Sequence, residues 1–261
     1  MNKRHLVLAT VMAIAGNTAV AQDPAGHITL GDQANFAMQP AEALERYEVA
    51  ITADPKNYEA LWKAARAVID LAEFENSPEK RTAWFTTGET YARRAVDANP
   101  KDPEGHFQLA RGLGRVALTL GVKERIKYAK KVRAHALEAL ERDPAHAGAL
   151  HVMGRWNAEV RRLGGFRRFM AENFLGGKIF SSASWSEARR YLEKAVESEP
   201  GRLTHHLGLG EVYADMGETG KAREQFELVI AGAAREYNDR FYKDAAARRL
   251  KQLGSGSSEK S

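Results

Sequence analysis

The chain contains no cysteine, so disulfides and thiolate chemistry are excluded and the fold must rest on packing alone. A lipid-anchored lipoprotein, which needs a cysteine at its processing site, is excluded as well. Beyond residue 21 there is no apolar run long enough to cross a bilayer, and no stretch alternates as a strand does. Zinc-protease H-E-x-x-H and nucleophile-elbow G-x-S-x-G patterns are both missing. Gly112-x-Gly114 lies inside a helical pattern rather than in a phosphate-cradling loop. These absences favour a non-enzyme with no cofactor and no metal.

What is present begins with residues 1–21. Lys3 and Arg4 open the chain, Leu6 to Ala15 form an apolar run, and Ala19-Val20-Ala21 offers small residues for cleavage before Gln22. This is the pattern of a secretory signal peptide. The expected product is exported, to a bacterial periplasm, and soluble after processing. Removing Lys3 and Arg4 lowers the formal net charge from +5 to +3. So weak a balance does not imply nucleic acid.

A repeat occupies the rest of the chain. An alanine followed by an acidic or amide residue and a proline recurs at Ala50 to Asp54-Pro55, Ala95 to Asn99-Pro100, Ala139 to Asp143-Pro144, and Ala195 to Glu199-Pro200. The residue before each proline is driven out of the helical region, so each marker ends a helix. Six residues after each proline stand Leu61, His106, Leu150 and His206; nine after, Ala64, Leu109, Met153 and Leu209. Ten after stand Ala65, Ala110, Gly154 and Gly210, and thirteen after, Val68, Leu113, Asn157 and Tyr213. This spacing places the set on one helix face. The small residue in the tenth place marks close approach by a neighbouring helix.

The pattern resembles the first helix of a tetratricopeptide repeat. Gly217 to Ala222, then Phe226 and Val229, resemble its second helix. The marker alanines stand 45, 44 and 56 residues apart, against about 34 for an ordinary repeat. The excess predicts lengthened helices over Tyr58–Glu75, Pro78–Ala98, Glu104–Leu120 and Lys123–Arg142, with an insertion at Phe166–Ser184. The expected fold is therefore all-α: a tetratricopeptide-like α-solenoid of four to five helical pairs over residues 22–253. Asn238–Leu253 is expected to form its closing helix, and 254–261 a disordered Gly/Ser-rich tail.

His151-Val-Met-Gly154-Arg155-Trp156-Asn-Ala-Glu159-Val160 is more specific. With Arg168, Phe174-Leu-Gly176 and Ser184-Trp185-Ser186-Glu187-Ala188, it resembles the regulator of microtubule dynamics family. That family's signature runs approximately H-x2-G-R-W-x2-E-V, a basic residue, F-G, then Ser or Thr with an aromatic before E-A. The family's usual proline after F-G is replaced here by Gly177. The resemblance implies a solenoid fold. It also implies a microtubule-associated role, which needs a eukaryotic, cytosolic product.

Several residues carry both a structural and a functional reading. Arg155 and Glu159 are one helical turn apart and can pair, with Trp156 off the usual packing face. They are either an ion pair beside a space-filling tryptophan or the polar floor of a ligand groove. Phe166, Phe169, Met170 and Phe174 form an aromatic stripe flanked by Arg161, Arg162, Arg167 and Arg168. The stripe either folds back on the solenoid or meets a membrane or lipid. Lys123, Lys127, Lys130 and Lys131 share a helix face that is either solvated or reserved for an anionic partner. With few aromatics among them, single-stranded nucleic acid is disfavoured. His146 and His151 do not share a face, nor do His205 and His206, and packing roles are expected for all four.

The leading expectation is a scaffold that seats a protein or extended peptide in its concave groove. The candidate contacts are Arg155, Trp156, Glu159, Phe166, Phe169, Phe174, Lys127 and Lys131. The alternative is a phospholipid- or acyl-binding protein using the same groove.

Overall fold

The computed structural model describes residues 23–163 and 178–258. Eleven α-helices occupy them: α1 Pro24–Phe36, α2 Pro40–Ala53, α3 Tyr58–Glu73, α4 Pro78–Ala98, α5 Pro103–Thr119 and α6 Val122–Arg142. After α7, Ala147–Arg162, come a 3-10 turn at Lys178–Ser182, then α8 Trp185–Ser198, α9 Leu203–Asp215, α10 Thr219–Ala231 and α11 Asp239–Ser258. Among the described residues there is no strand.

The helices pack as five antiparallel pairs, α1 with α2 through α9 with α10, and α11 closes the stack. First helices of consecutive pairs touch one another, whereas substantial packing of each second helix is confined to its sequence neighbours. Curvature of this kind puts α1, α3, α5, α7 and α9 on the inner wall of a superhelix.

The markers explain the spacing. Ala50, Ala95, Ala139 and Ala195 are all fully buried. Their carbonyls accept the N–H of Asp54, Asn99, Asp143 and Glu199, the last hydrogen bond before each proline. The preference for Asp or Asn has a local cause. Asp54, Asn99 and Asp143 each accept, through Oδ1, the N–H two residues on, bridging the proline in a side-chain turn. In the fourth marker Glu199 is too long for this and turns toward Arg202 instead.

The tenth-place residues sit where expected. Ala65 and Ala110 are fully buried. A Cβ on Gly154 would lie 2.5 Å from Leu192 Cγ, and one on Gly210 2.6 Å from Phe226 Cε1. The histidines in the sixth place do more than pack. His106 Nε2 and His206 Nε2 contact the carbonyls of Pro100 and Pro200 at 3.1 and 2.9 Å, tying each helix to the turn before it.

Several helix ends differ by one or two residues from the sequence reading: α3 ends at Glu73, α5 runs Pro103–Thr119 and α6 begins at Val122. The pair α1 and α2 follows Ala19 and Asp23-Pro24, a step of the marker's own spacing that the sequence reading left uncounted, and Asp23 caps its start. The closing helix runs to Ser258 rather than Leu253, because extending a formed helix needs no new nucleus. Of the expected insertion Phe166–Ser184, residues 166–177 lie outside the described residues. The 3-10 turn after them is anchored: Phe180 is buried against Trp156, ring centroids 5.8 Å apart and nearly parallel.

Gly154→Val should destabilise the fold by about 1–3 kcal/mol through overpacking against Leu192. Gly220→Ala, where an added methyl meets nothing within 4 Å, should leave the thermal midpoint unchanged or higher. Equal midpoints for the two variants would contradict close backbone approach at the tenth place.

Candidate functional site

The inner wall is a ladder of charge running from one end of the stack to the other. Lys63 on α3 reaches Asp32 on α1 at 2.6 Å. Arg111 on α5 pairs with Asp70 and Glu73 on α3, and Arg115 with Glu73. His146 Nε2 at the start of α7 meets Glu104 on α5 at 3.2 Å. Arg155 pairs with Glu211 on α9, Arg162 with Asp215 at 2.5 Å, and Arg249 on α11 with Glu211 at 3.2 Å. Neighbouring first helices are thus tied by ion pairs and, between α5 and α7, by the His146–Glu104 contact.

The repeat register generates this ladder. Eleven residues after the four prolines stand Arg66, Arg111, Arg155 and Glu211; fifteen after stand Asp70, Arg115, Glu159 and Asp215. The two positions are about one turn apart on a helix and face the same side. Counting the polar positions as well as the apolar ones would have found all eight. The sequence reading found only Arg155 and Glu159.

The candidate residues separate into three groups. Arg155 and Glu159 do pair, at 3.4 Å, and both lie on the inner wall, where Arg155 also bonds Glu211. Trp156 points the other way. It is 5% exposed, donates Nε1–H to the Ala129 carbonyl on α6 at 2.8 Å, and is covered by Arg133. Its contacts are those of a packing residue. Lys127 and Lys131 lie on α6, a second helix and so on the outer side; Lys127 pairs with Glu124, and Lys131 sits over Tyr128. Phe166, Phe169 and Phe174, with Met170, Arg167 and Arg168, lie outside the described residues.

The charges perturb one another. Burial alone would raise the Glu211 carboxyl. The guanidinium of Arg155, with Arg249 and Arg162 behind it, outweighs burial and holds the carboxyl below its ordinary range. His146 is lowered by burial but raised more by Glu104, for a net rise. His151 and His205 meet through Nδ1 at 3.2 Å between α7 and α9. Burial, followed by the charges of His205, Arg155, Arg115 and Arg202, pushes His151 well below its ordinary value. Burial also lowers His205, although Glu199 Oε2, 3.6 Å from its Nε2, opposes this. Among the described residues no group of three or more His, Asp or Glu side chains could hold a metal.

The sequence profile of the regulator of microtubule dynamics protein 1-3 family matches residues 30–254. The chain belongs to this family. It is 27% identical over 202 residues to regulator of microtubule dynamics protein 1 of Mus musculus, covering 76% of this chain and 65% of that protein. It is 27% identical over 173 residues to protein 2 of Homo sapiens, covering 66% of this chain and 42% of that protein. Against mouse protein 1 and bovine proteins 1 and 2, the chain spans 65%, 58% and 48% of their lengths. Among solved structures it resembles TTC0263, a thermophilic TPR protein of Thermus thermophilus. The TM-score is 0.64 at 18% identity, over 86% of this chain and 99% of that one. The fold of this family member is therefore the tetratricopeptide-like α-solenoid that the repeat register implied.

The signature of the family acquires physical roles here. Gly154 admits Leu192 of α8, and Arg155 and Glu159 build the ladder. Ser184 caps α8 by accepting the Glu187 N–H at 3.1 Å, and Asn157 Oδ1 accepts the Ser184 N–H at 3.3 Å.

The histidines make stability depend on pH. His135, His151 and His205 have lowered folded values, so below their ordinary value the unfolded chain binds protons that the folded chain refuses. Their contribution is complete above that value and lost as pH falls. His146, raised, works in the opposite sense and is outnumbered. Glu199, held near 2 beside His205 and Arg202, stays ionised throughout. The urea midpoint should drop between about pH 7 and about pH 5, each neutral-held histidine withdrawing up to ~1.4 kcal/mol per pH unit. His151→Gln should flatten that slope, and a slope unchanged by the substitution would contradict a neutral buried pair.

Proposed function

We propose that the chain is a non-catalytic scaffold that seats an extended polypeptide segment of a partner protein along its inner wall. The observation that carries this reading is the charge ladder. Successive first helices present a charged side chain at one repeat position, Arg66, Arg111 and Arg155 and then the opposite charge of Glu211, so a partner running along the wall meets a charge at a fixed spacing. Many weak, directional contacts in a row suit a peptide with alternating charges and backbone hydrogen bonds. An ionic wall suits acyl chains poorly, since each buried charge would lose solvation without a new partner. The lipid reading therefore ranks second and becomes an outcome of the test.

The compartment is part of the same proposal. Lys3-Arg4, the apolar run Leu6–Ala15 and the small residues Ala19–Ala21 support export. A mature N-terminus at Gln22 is the expected sequencing result, and retention of Met1 to Ala21 on the native protein would overturn it. The relatives' name, regulator of microtubule dynamics, supplies a further reading that requires a cytosolic product. Co-sedimentation of the purified chain with assembled tubulin would favour it.

A photo-crosslinking residue placed at Glu159, half exposed on the inner wall, should capture peptide adducts in native cells. The same residue at Lys127 on α6 should capture few. Adducts that are exclusively phospholipid, or equal capture at the two positions, would overturn the polypeptide reading.

A further inference from the structure

The inner wall is already occupied at one place by the chain itself. Residues 235–242, the end of the connection after α10 and the first turn of α11, reach back to α3. Asn238 Nδ2–H donates to the Asp70 carbonyl at 3.2 Å. Asp70 lies in the last turn of α3, where carbonyls have no partner within the helix, so Asn238 satisfies an orphan acceptor 168 residues away in the chain. Phe241 stacks on Phe74, ring centroids 4.1 Å apart and 13° from parallel. Tyr242 meets the same Phe74 edge-on at 5.8 Å and lies in the field of Glu73, Arg115 and Arg111. Glu236 pairs with Arg202 at 2.9 Å.

Part of the cap lies outside this contact. Ala246, Leu250 and Leu253 of α11 pack on the apolar cluster of α8, α9 and α10, and Tyr242 joins that cluster together with Phe74. The fit of the segment is not saturated. Asn238 and Asp239 are 3% and 2% exposed. Among the described residues neither Asn238 Oδ1 nor Asp239 Oδ1 has a hydrogen-bond partner.

We infer that Asp70, Phe74, Arg111 and Arg115 form a peptide seat, filled in cis by Tyr237-Asn238-Asp239-Arg240-Phe241-Tyr242. A partner segment of the same chemistry, an aromatic pair beside an asparagine and an acid, takes the seat by displacing it. The inference deepens the scaffold reading by naming the segment class and the gate. A seat held internally weakens the apparent affinity for an external ligand by the fraction of time it stands open.

The test uses the full chain and, as probe, a fluorescent synthetic peptide of residues 234–245. Asn238→Ala/Phe241→Ala removes the cis contacts and should bind the peptide about tenfold more tightly than the unaltered chain. Adding Phe74→Ala should abolish that binding, and a scrambled peptide should bind neither variant. If the opened variant binds no tighter than the unaltered chain, or if Phe74→Ala changes nothing, the seat is refuted. Should the double variant fail to fold by circular dichroism, hydrogen exchange on the unaltered chain decides. Amides of 70–76 and 235–242 opening together, well before those of 246–250, support a displaceable segment; equal protection of all three refutes it. The probe comes from the chain itself, so a negative result leaves the Glu159 crosslinking outcome standing, and the converse also holds.

Discussion

Close approach of helices at points without side-chain bulk is the constraint on which the rest of the structure depends. The four marker alanines have no exposed surface, and Gly154 and Gly210 have a leucine and a phenylalanine where a Cβ would stand. Any larger residue would hold the helices apart, and close-packed interiors give way only at a cost. With the pair spacing fixed, the first helices are brought near enough for Arg111 to reach Asp70 and for Arg155 to reach Glu211. The charged wall is thus a product of apolar fit.

Most charges of that wall are paired with one another. Ion pairs of intermediate exposure contribute little net stability, and the perturbed carboxylates and histidines are explained by their neighbours within the ladder. Perturbed titration by itself often marks a catalytic site, but here the shifts follow from structural pairing. Charge arranged in this way sets the character of the surface: polar, directional and repeated once per pair.

The fold was legible because the sequence repeats its apolar positions with little variation. The marker prolines, the tenth-place small residues and the lengthened helices all follow from spacing, and α4 begins and ends where the pattern placed it. The helices of the first pair were not drawn individually, although Ala19 and Asp23-Pro24 carry the marker spacing before them. The site was only partly legible. Arg155 and Glu159 declare themselves as neighbours on one helix, whereas Glu211, Asp215 and Arg249 reach the same place from helices far along the chain. For Trp156 the sequence left a packing and a ligand-platform reading open, and the Ala129 carbonyl that receives its N–H shows that it faces the packing side. The contact of Asn238 with Asp70 has no periodic signal at all; it arises from superhelical curvature, which brings the start of α11 back to the second pair.

An open solenoid behaves as a one-dimensional array: its terminal units fray independently, and its stability is a sum over neighbours. The bond from Asn238 to α3, with the Phe74–Phe241 stack beside it, closes the second pair, the later pairs and the cap into a ring, with the first pair outside it. Fraying from the carboxyl end must then break a contact to the second pair before the last pair can separate. The molecule gains long-range unfolding cooperativity that repeat number alone does not supply, and a ligand that opened the ring would loosen both ends of it at once.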